Sequence, residues 1–193
     1  MRDPLALLAD HAHLEKKAAG NALELLNRWP EPSPPENWVN VCTAVARDEC
    51  EHLAVVTRLL ARRGGKLPKS HRNAYANGLR DLVRLGQGNH ELADRLMVSA
   101  LIEARSCERF WLLAQACEDR ELAKLYKGLY ASEHGHYRVF LDLALQLPEH
   151  GGRVTRRDVD DRWSQMLDAE ADLIARQPPG PRMHSGVPDD VER

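Results

Sequence analysis

The chain has 193 residues, enough for one domain with a sizeable core; 29 % of them are charged and only 5 % aromatic, a balance that favours helices. A formal net charge of −2 gives no overall attraction to nucleic acid, and no apolar run approaches the roughly 20 residues of a membrane span. The start, MRDPLALLADHAH, lacks a basic opening, a long apolar stretch and a small-residue cleavage site, so a mature cytoplasmic protein is expected.

Asp3 before Pro4 is a helix start, with an N-cap acid and proline at the first helical position. The pattern runs to Trp29 and is stopped by PEPSPP at 30–35. A second helix is predicted from about Asn37 to Arg63, capped by Gly64 and Gly65. Residues 64–89 read as a basic loop, a short helix over 74–85 and then GQGN. A third long helix covers about His90 to Cys117, and a fourth covers Asp119 to Leu147, ending at Pro148. Thr155 with Asp158 resembles a capping box that opens a fifth helix, to about Arg176. The tail over 178–193, rich in Gly and Pro, is expected to lack order. No strand alternation or fixed repeat is present. Cys42, Cys50, Cys107 and Cys117 form no CxxC pair and lie in helical patterns, so reduced thiols are expected rather than a zinc site.

Short links join the first helix to the second and the third to the fourth, while a longer segment joins the two pairs. That predicts an all-α chain: a ferritin-like four-helix bundle over residues 1–177 with one long crossover and an additional C-terminal helix.

Two Glu-x-x-His pairs stand on apolar stripes. In the second helix, Val45, Glu49, His52 and Val56 share a face; in the fourth, Tyr126, Leu129, Glu133, His136 and Phe140 do. The first helix places Glu15 on a stripe with Leu8 and Ala22, and the third places Glu103 with Leu96, Ala100 and Phe110. An acid left unpaired in a core is costly, so each needs a cation or a proton. One Glu from each of two helices and a Glu-x-x-His from each of the other two is the donor set of a two-metal carboxylate site in a bundle. Residue levels agree. Glu15 and Glu49 are equidistant from the PEPSPP turn, and Glu103 and Glu133 from the break near residue 118. The predicted metal ligands are therefore Glu15, Glu49, His52, Glu103, Glu133 and His136. Mixed carboxylate and imidazole donors suit iron or manganese better than zinc. Glu51, His13 and His134 are expected on the outside, and Glu108 is expected on the outer face or as a supporting acid. His11, one turn before Glu15, is a candidate supporting residue, as are Asp10 and Asp48.

DRLMVSALIEARSCERFWLLA at 94–114 resembles the signature helix of the MiaE-type tRNA hydroxylases. DHAHLEKKAA, RDECEHLAVVTRLLARRG and SEHGHY match the same pattern in the same order, so the resemblance covers roughly residues 4–147. It implies a non-haem di-iron monooxygenase with two iron ions and the six ligands above. The implied reaction uses dioxygen and an external electron donor to hydroxylate the isopentenyl group of a hypermodified adenosine beside the tRNA anticodon. The implied partners are tRNA and a reductase or ferredoxin, with no membrane, and a small oligomeric state is expected.

Eight basic residues between 58 and 84 face a single acid, Asp81. Arg58, Arg62, Arg63, Lys66, Lys69 and Arg72 are the predicted tRNA contacts, with Arg153, Arg156 and Arg157 a second cluster. A rubrerythrin-like oxidase or peroxidase, or an iron-handling protein, would need the same ligands but no basic surface. A metal-free interaction module would leave the four buried acids without purpose.

Overall fold

The side-chain oxygen of Asp3 accepts the Ala6 N–H at 2.9 Å and opens helix α1, Pro4–Leu26. The computed structural model describes residues 3–30, 33–150 and 153–186. Helix α1 stops short of Trp29 because Pro30 pushes the residue before it out of helical geometry. Helix α2, Glu36–Arg62, starts behind Pro35 and ends at Gly64, whose φ of +79° suits glycine alone. A short helix α3, Ala74–Arg80, is capped by the Asn73 side chain. It ends before the predicted residue 85. Helices α4, Asn89–Ala116, and α5, Arg120–Gln146, form the second long pair, and Asp119 caps α5 through the N–H groups of Glu121 and Leu122. After a 3-10 turn at Leu147–His150, the predicted capping box of Thr155 and Asp158 opens α6, Arg156–Ala175. No strand occurs among the described residues. The middle of PEPSPP, residues 31–32, and Gly-Gly at 151–152 lie outside them.

Helix α1 packs along α2, and α4 along α5; α2 touches α5, whereas α1 and α4 approach each other far less closely. The crossover, residues 63–88, joins the hairpins so that their turns lie at opposite ends. Two apolar clusters result. One holds Leu25, Trp38, Cys42, Leu96, Met97 and Phe140, and the other Leu8, Val56, Leu60, Phe110, Tyr126 and Leu129. A polar layer lies between them at mid-bundle.

Specific hydrogen bonds fix the ends. The Trp38 indole N–H donates to the Leu25 carbonyl at 3.0 Å, closing the first hairpin. The Arg63 guanidinium holds Asp119 and Glu121 at the start of α5. Buried Asp94 accepts from both Arg84 and Arg162 and pins α6 and the crossover to α4. The tail departs from its expected disorder as far as residue 186. Met183 is buried, its N–H donating to Asp10 Oδ2 at 2.9 Å, and Arg109 donates to the Ser185 carbonyl. Residues 187–193 lie outside the described part. The cysteines are free thiols, Cys42 and Cys107 buried and Cys50 exposed.

Candidate metal centre

The polar layer consists of the six predicted ligands. Glu15 comes from α1, Glu49 and His52 from α2, Glu103 from α4, Glu133 and His136 from α5. All are buried, Glu49 completely. They sort into two groups whose donor atoms lie within 4.8 Å of one another: Glu15, Glu49, His52 and Glu133, and Glu49, Glu103, Glu133 and His136. Glu49 and Glu133 belong to both. Each group adds one carboxylate and one imidazole of its own, which is the pattern of two ions bridged by two carboxylates.

Both imidazoles turn Nδ1 inward. His52 Nδ1 lies 3.0 Å from Glu133 Oε1 and 3.7 Å from oxygens of Glu15 and Glu49. His136 Nδ1 lies 2.6 Å from Glu49 Oε1 and 4.0 Å from Glu133 Oε2. The ring centroids stand 5.9 Å apart. These approaches lack hydrogen-bond geometry: both Glu49 oxygens, Glu133 Oε1 and the Nδ1 atoms of His52 and His136 are buried without a hydrogen-bond partner. Orphaned donor atoms converging on a point fit a cation better than they fit one another.

The electrostatics agree. Burial, then Glu133 and Glu49, push the Glu103 carboxyl well above its usual range. Burial and the neighbouring Glu15 also raise Glu49. Burial lowers His52, but Glu133, Glu15 and Glu49 override it and push the imidazole up to about 12. Without metal the cluster therefore holds protons. Two divalent ions would balance four carboxylates and leave both imidazoles neutral. Glu15 differs: burial would raise it, but the His11 imidazole, whose Nε2 bonds Glu15 Oε1, brings it down to about 2. His11 is thus the support to Glu15 that its spacing allowed. It packs against Phe110 and Tyr126.

At the outer edge, His136 Nε2 lies 3.5 Å from Asp48 Oδ2 and 3.4 Å from Ser132 Oγ. Asp10 touches neither metal-facing histidine; it holds His71 and the tail instead. Glu108 faces outward onto Arg105, and Glu51 and His134 are exposed, as expected. His13 is buried instead, because the crossover covers it: its Nε2 bonds the Pro68 carbonyl at 2.9 Å.

A cavity of about 430 Å³ opens between α1 and α4, where the hairpins stand apart. Leu14, Ala18, Val98 and Ile102 give it apolar walls, and Glu103 is the only one of the six lining it. Lys17, Arg80 and Arg95 add positive charge. The six predicted tRNA contacts divide. Arg62 pairs with Glu121, and Arg63 with Asp119 and Glu121, so both are neutralised. Arg58, Lys66, Lys69 and Arg72 are exposed, and none of these four makes an ion pair among the described residues. Arg156 and Arg157 of the second cluster pair with Asp160 and Asp161 on their own helix. The hairpin contacts that engage Arg62 and Arg63 bring together residues far apart in sequence, and so do those that gather His13, His71 and His184 around α1.

A family model described as tRNA-(MS[2]IO[6]A)-hydroxylase (MiaE) matches residues 2–185. Over 191 residues the chain is 38 % identical to the tRNA 2-(methylsulfanyl)-N(6)-isopentenyladenosine(37) hydroxylase of Pseudomonas putida, covering 97 % of this chain and 86 % of that protein. It is 36 % identical over 145 residues to the Salmonella typhimurium protein of the same name, covering 74 % of this chain and 49 % of the other. Among solved structures, a Synechococcus protein described as having aldehyde deformylating oxygenase activity superposes with a TM-score of 0.81 at 33 % identity, covering 99 % of this chain and 92 % of that one. The fold is the ferritin-like bundle.

Proposed function

Because the chain belongs to the tRNA-(MS[2]IO[6]A)-hydroxylase family, we propose that it hydroxylates the isopentenyl side chain of 2-(methylsulfanyl)-N(6)-isopentenyladenosine at position 37 of tRNA. The observation that carries this reading is the pair of buried carboxylate–imidazole groups sharing Glu49 and Glu133, with a partly apolar cavity that Glu103 lines.

The side chain to be oxidised offers no proton that an ordinary base removes. A pair of iron ions, when bound, would supply the oxidising power that joins one atom of dioxygen to carbon, while the other leaves as water with two electrons from a separate donor and two protons from solvent. The protein does the rest. Glu15 and His52 would hold one ion and Glu103 and His136 the other, with Glu49 and Glu133 within reach of both. Asp48 and Ser132 steady His136 from behind, and His11 steadies Glu15. The cavity volume lies within the range of small-molecule sites, about 300–1,000 Å³. Its aliphatic walls take the prenyl group and exclude water from the ions.

The crossover passes over α1, with Pro68 on His13 and His71 on Lys17, so exposed Lys69 and Arg72 are carried to the side where the cavity opens. That surface receives the anticodon arm. A peroxidase or an iron store would use the same six residues but gives no purpose to this basic mouth. A tRNA substrate implies a cytoplasmic setting, and no helix among the described residues is long and apolar enough to cross a membrane.

The test is direct. The iron-loaded chain is incubated with a reductant, isotopically heavy dioxygen and tRNA carrying the prenylated nucleoside, and the digested nucleosides are weighed by mass spectrometry. One heavy oxygen atom on the prenylated nucleoside is expected; its absence with a reduced, fully loaded enzyme overturns the reading.

A further inference from the structure

Lys17 lines the cavity, and its ammonium lies 2.9 Å from Nδ1 of His71. The other ring nitrogen, His71 Nε2, lies 2.8 Å from Oδ1 of buried Asp10. A carboxylate can only accept and an ammonium can only donate, so the chain has one direction: Lys17 donates to Nδ1, and Nε2–H donates to Asp10. The ring is clamped from the side, because His13 stacks on it with centroids 4.8 Å apart and planes 4° apart. The second Asp10 oxygen takes the Met183 N–H, which ties the tail into the same unit.

This arrangement fixes a cation without neutralising it. Among the described residues no carboxylate lies within ion-pair distance of Lys17, and the ammonium keeps two donors free. Arg80, also lining the cavity, has no ion-pair partner among those residues, whereas Arg95 is held by Glu91 at 2.8 Å.

We propose that Lys17, held by His71 and Asp10 and assisted by Arg80, binds a backbone phosphodiester beside the adenosine whose prenyl group enters the cavity. The proposal rests on the tRNA hydroxylase reading. A phosphodiester offers only acceptors and a negative charge, matching the free donors of Lys17 and the guanidinium of Arg80. Lys17 and Arg80 are binding residues; His71 and Asp10 are positioning residues.

Lys17→Met keeps the stem and removes the charge, and Arg80→Met is the companion variant at an exposed position. Binding of the iron-loaded chain to tRNA is measured across a salt series, and hydroxylation of tRNA is compared with that of the free prenylated nucleoside, which has no phosphate. Each variant is expected to weaken tRNA binding roughly tenfold and to reduce the slope of log K against log salt by about 0.7. The ratio of tRNA to nucleoside turnover falls with it. His71→Ala is expected to lose part of the affinity, and His71→Gln, which can both accept from Lys17 and donate to Asp10, to recover it. Wild-type affinity and slope in both Met variants overturn the proposal. A chain that binds tRNA with a slope dependent on Lys17 but hydroxylates neither substrate sustains the phosphate site and overturns the hydroxylase reading. A wild-type chain without affinity for tRNA overturns both.

Discussion

Nδ1 of His136, on α5, lies 2.6 Å from Oε1 of Glu49, on α2, so the two Glu-x-x-His pairs interlock where α2 and α5 meet. Each pair thereby contributes a carboxylate to the other pair's group. The consequence is an asymmetry among the acids that metal analysis can read. Glu49→Ala or Glu133→Ala removes a donor from both groups and is expected to bring bound iron from about two ions per chain to near zero. Glu15→Ala or Glu103→Ala removes a donor from one group and is expected to leave about one ion. Equal loss in all four variants would show that Glu49 and Glu133 are not shared.

Glu103→Gln separates function from stability. Burial and the neighbouring acids hold this carboxyl well above its usual range, so in the metal-free chain its neutral form is favoured and glutamine is a close mimic of that form. The metal-free variant is expected to melt about 2–4 °C higher than the metal-free wild type, corresponding to about 1 kcal/mol. Iron should stabilise the variant less than the wild type, and hydroxylation should be lost. A metal-free melting point well below wild type would mean that Glu103 is a structural acid.

Asp94 offers a pH test remote from the metal centre. Burial would raise its carboxyl, but Arg84 and Arg162 hold it below the ordinary value of 3.8. A depressed carboxyl contributes stability above its unfolded value and loses it as pH falls through the folded one. Asp94→Asn strands two guanidinium groups and is expected to cost about 3 kcal/mol at neutral pH. The gap between variant and wild type should narrow only below pH 3.8. Urea unfolding at neutral and acid pH measures both; a gap independent of pH would contradict the assignment.

The tail gives a test of packing. Met183→Ala empties a nearly fully buried site in the apolar cluster that also holds Leu8 and Tyr126 and is expected to cost about 2 kcal/mol in urea unfolding. No measurable change would mean that the tail is not docked in solution.

Lys69→Ala combined with Arg72→Ala is expected to weaken tRNA binding and to lower its salt slope by about 0.7 for each phosphate contact removed. Arg62→Ala and Arg63→Ala should change binding less, because their guanidinium groups already face Asp119 and Glu121. A filter-binding series at several salt concentrations distinguishes the two sets.

Glu49, His52, Glu133 and His136 were legible because i, i+3 spacing and an apolar stripe are local properties of a helix. Glu15 and Glu103 became legible through their distance from the two turns, which sets height in an antiparallel hairpin. Less local features escaped. The engagement of Arg62 and Arg63 by Asp119 and Glu121 depends on how the hairpin ends meet, and the burial of His13 depends on where the crossover lies. Met183 and His184 stand in a Gly/Pro-rich segment with no periodicity, so nothing local marks them as buried. The sharing of Glu49 and Glu133 is a property of four helices together and has no signature along any one of them.

Iron bound per chain tests the metal pair most directly. Metal-free protein is titrated anaerobically with ferrous iron, unbound metal is removed, and iron is counted against protein. About two ions per chain, bound before any loosely held excess, is the result expected of two groups sharing Glu49 and Glu133. A value that stays near zero would contradict the metal centre, and the hydroxylase reading would fall with it.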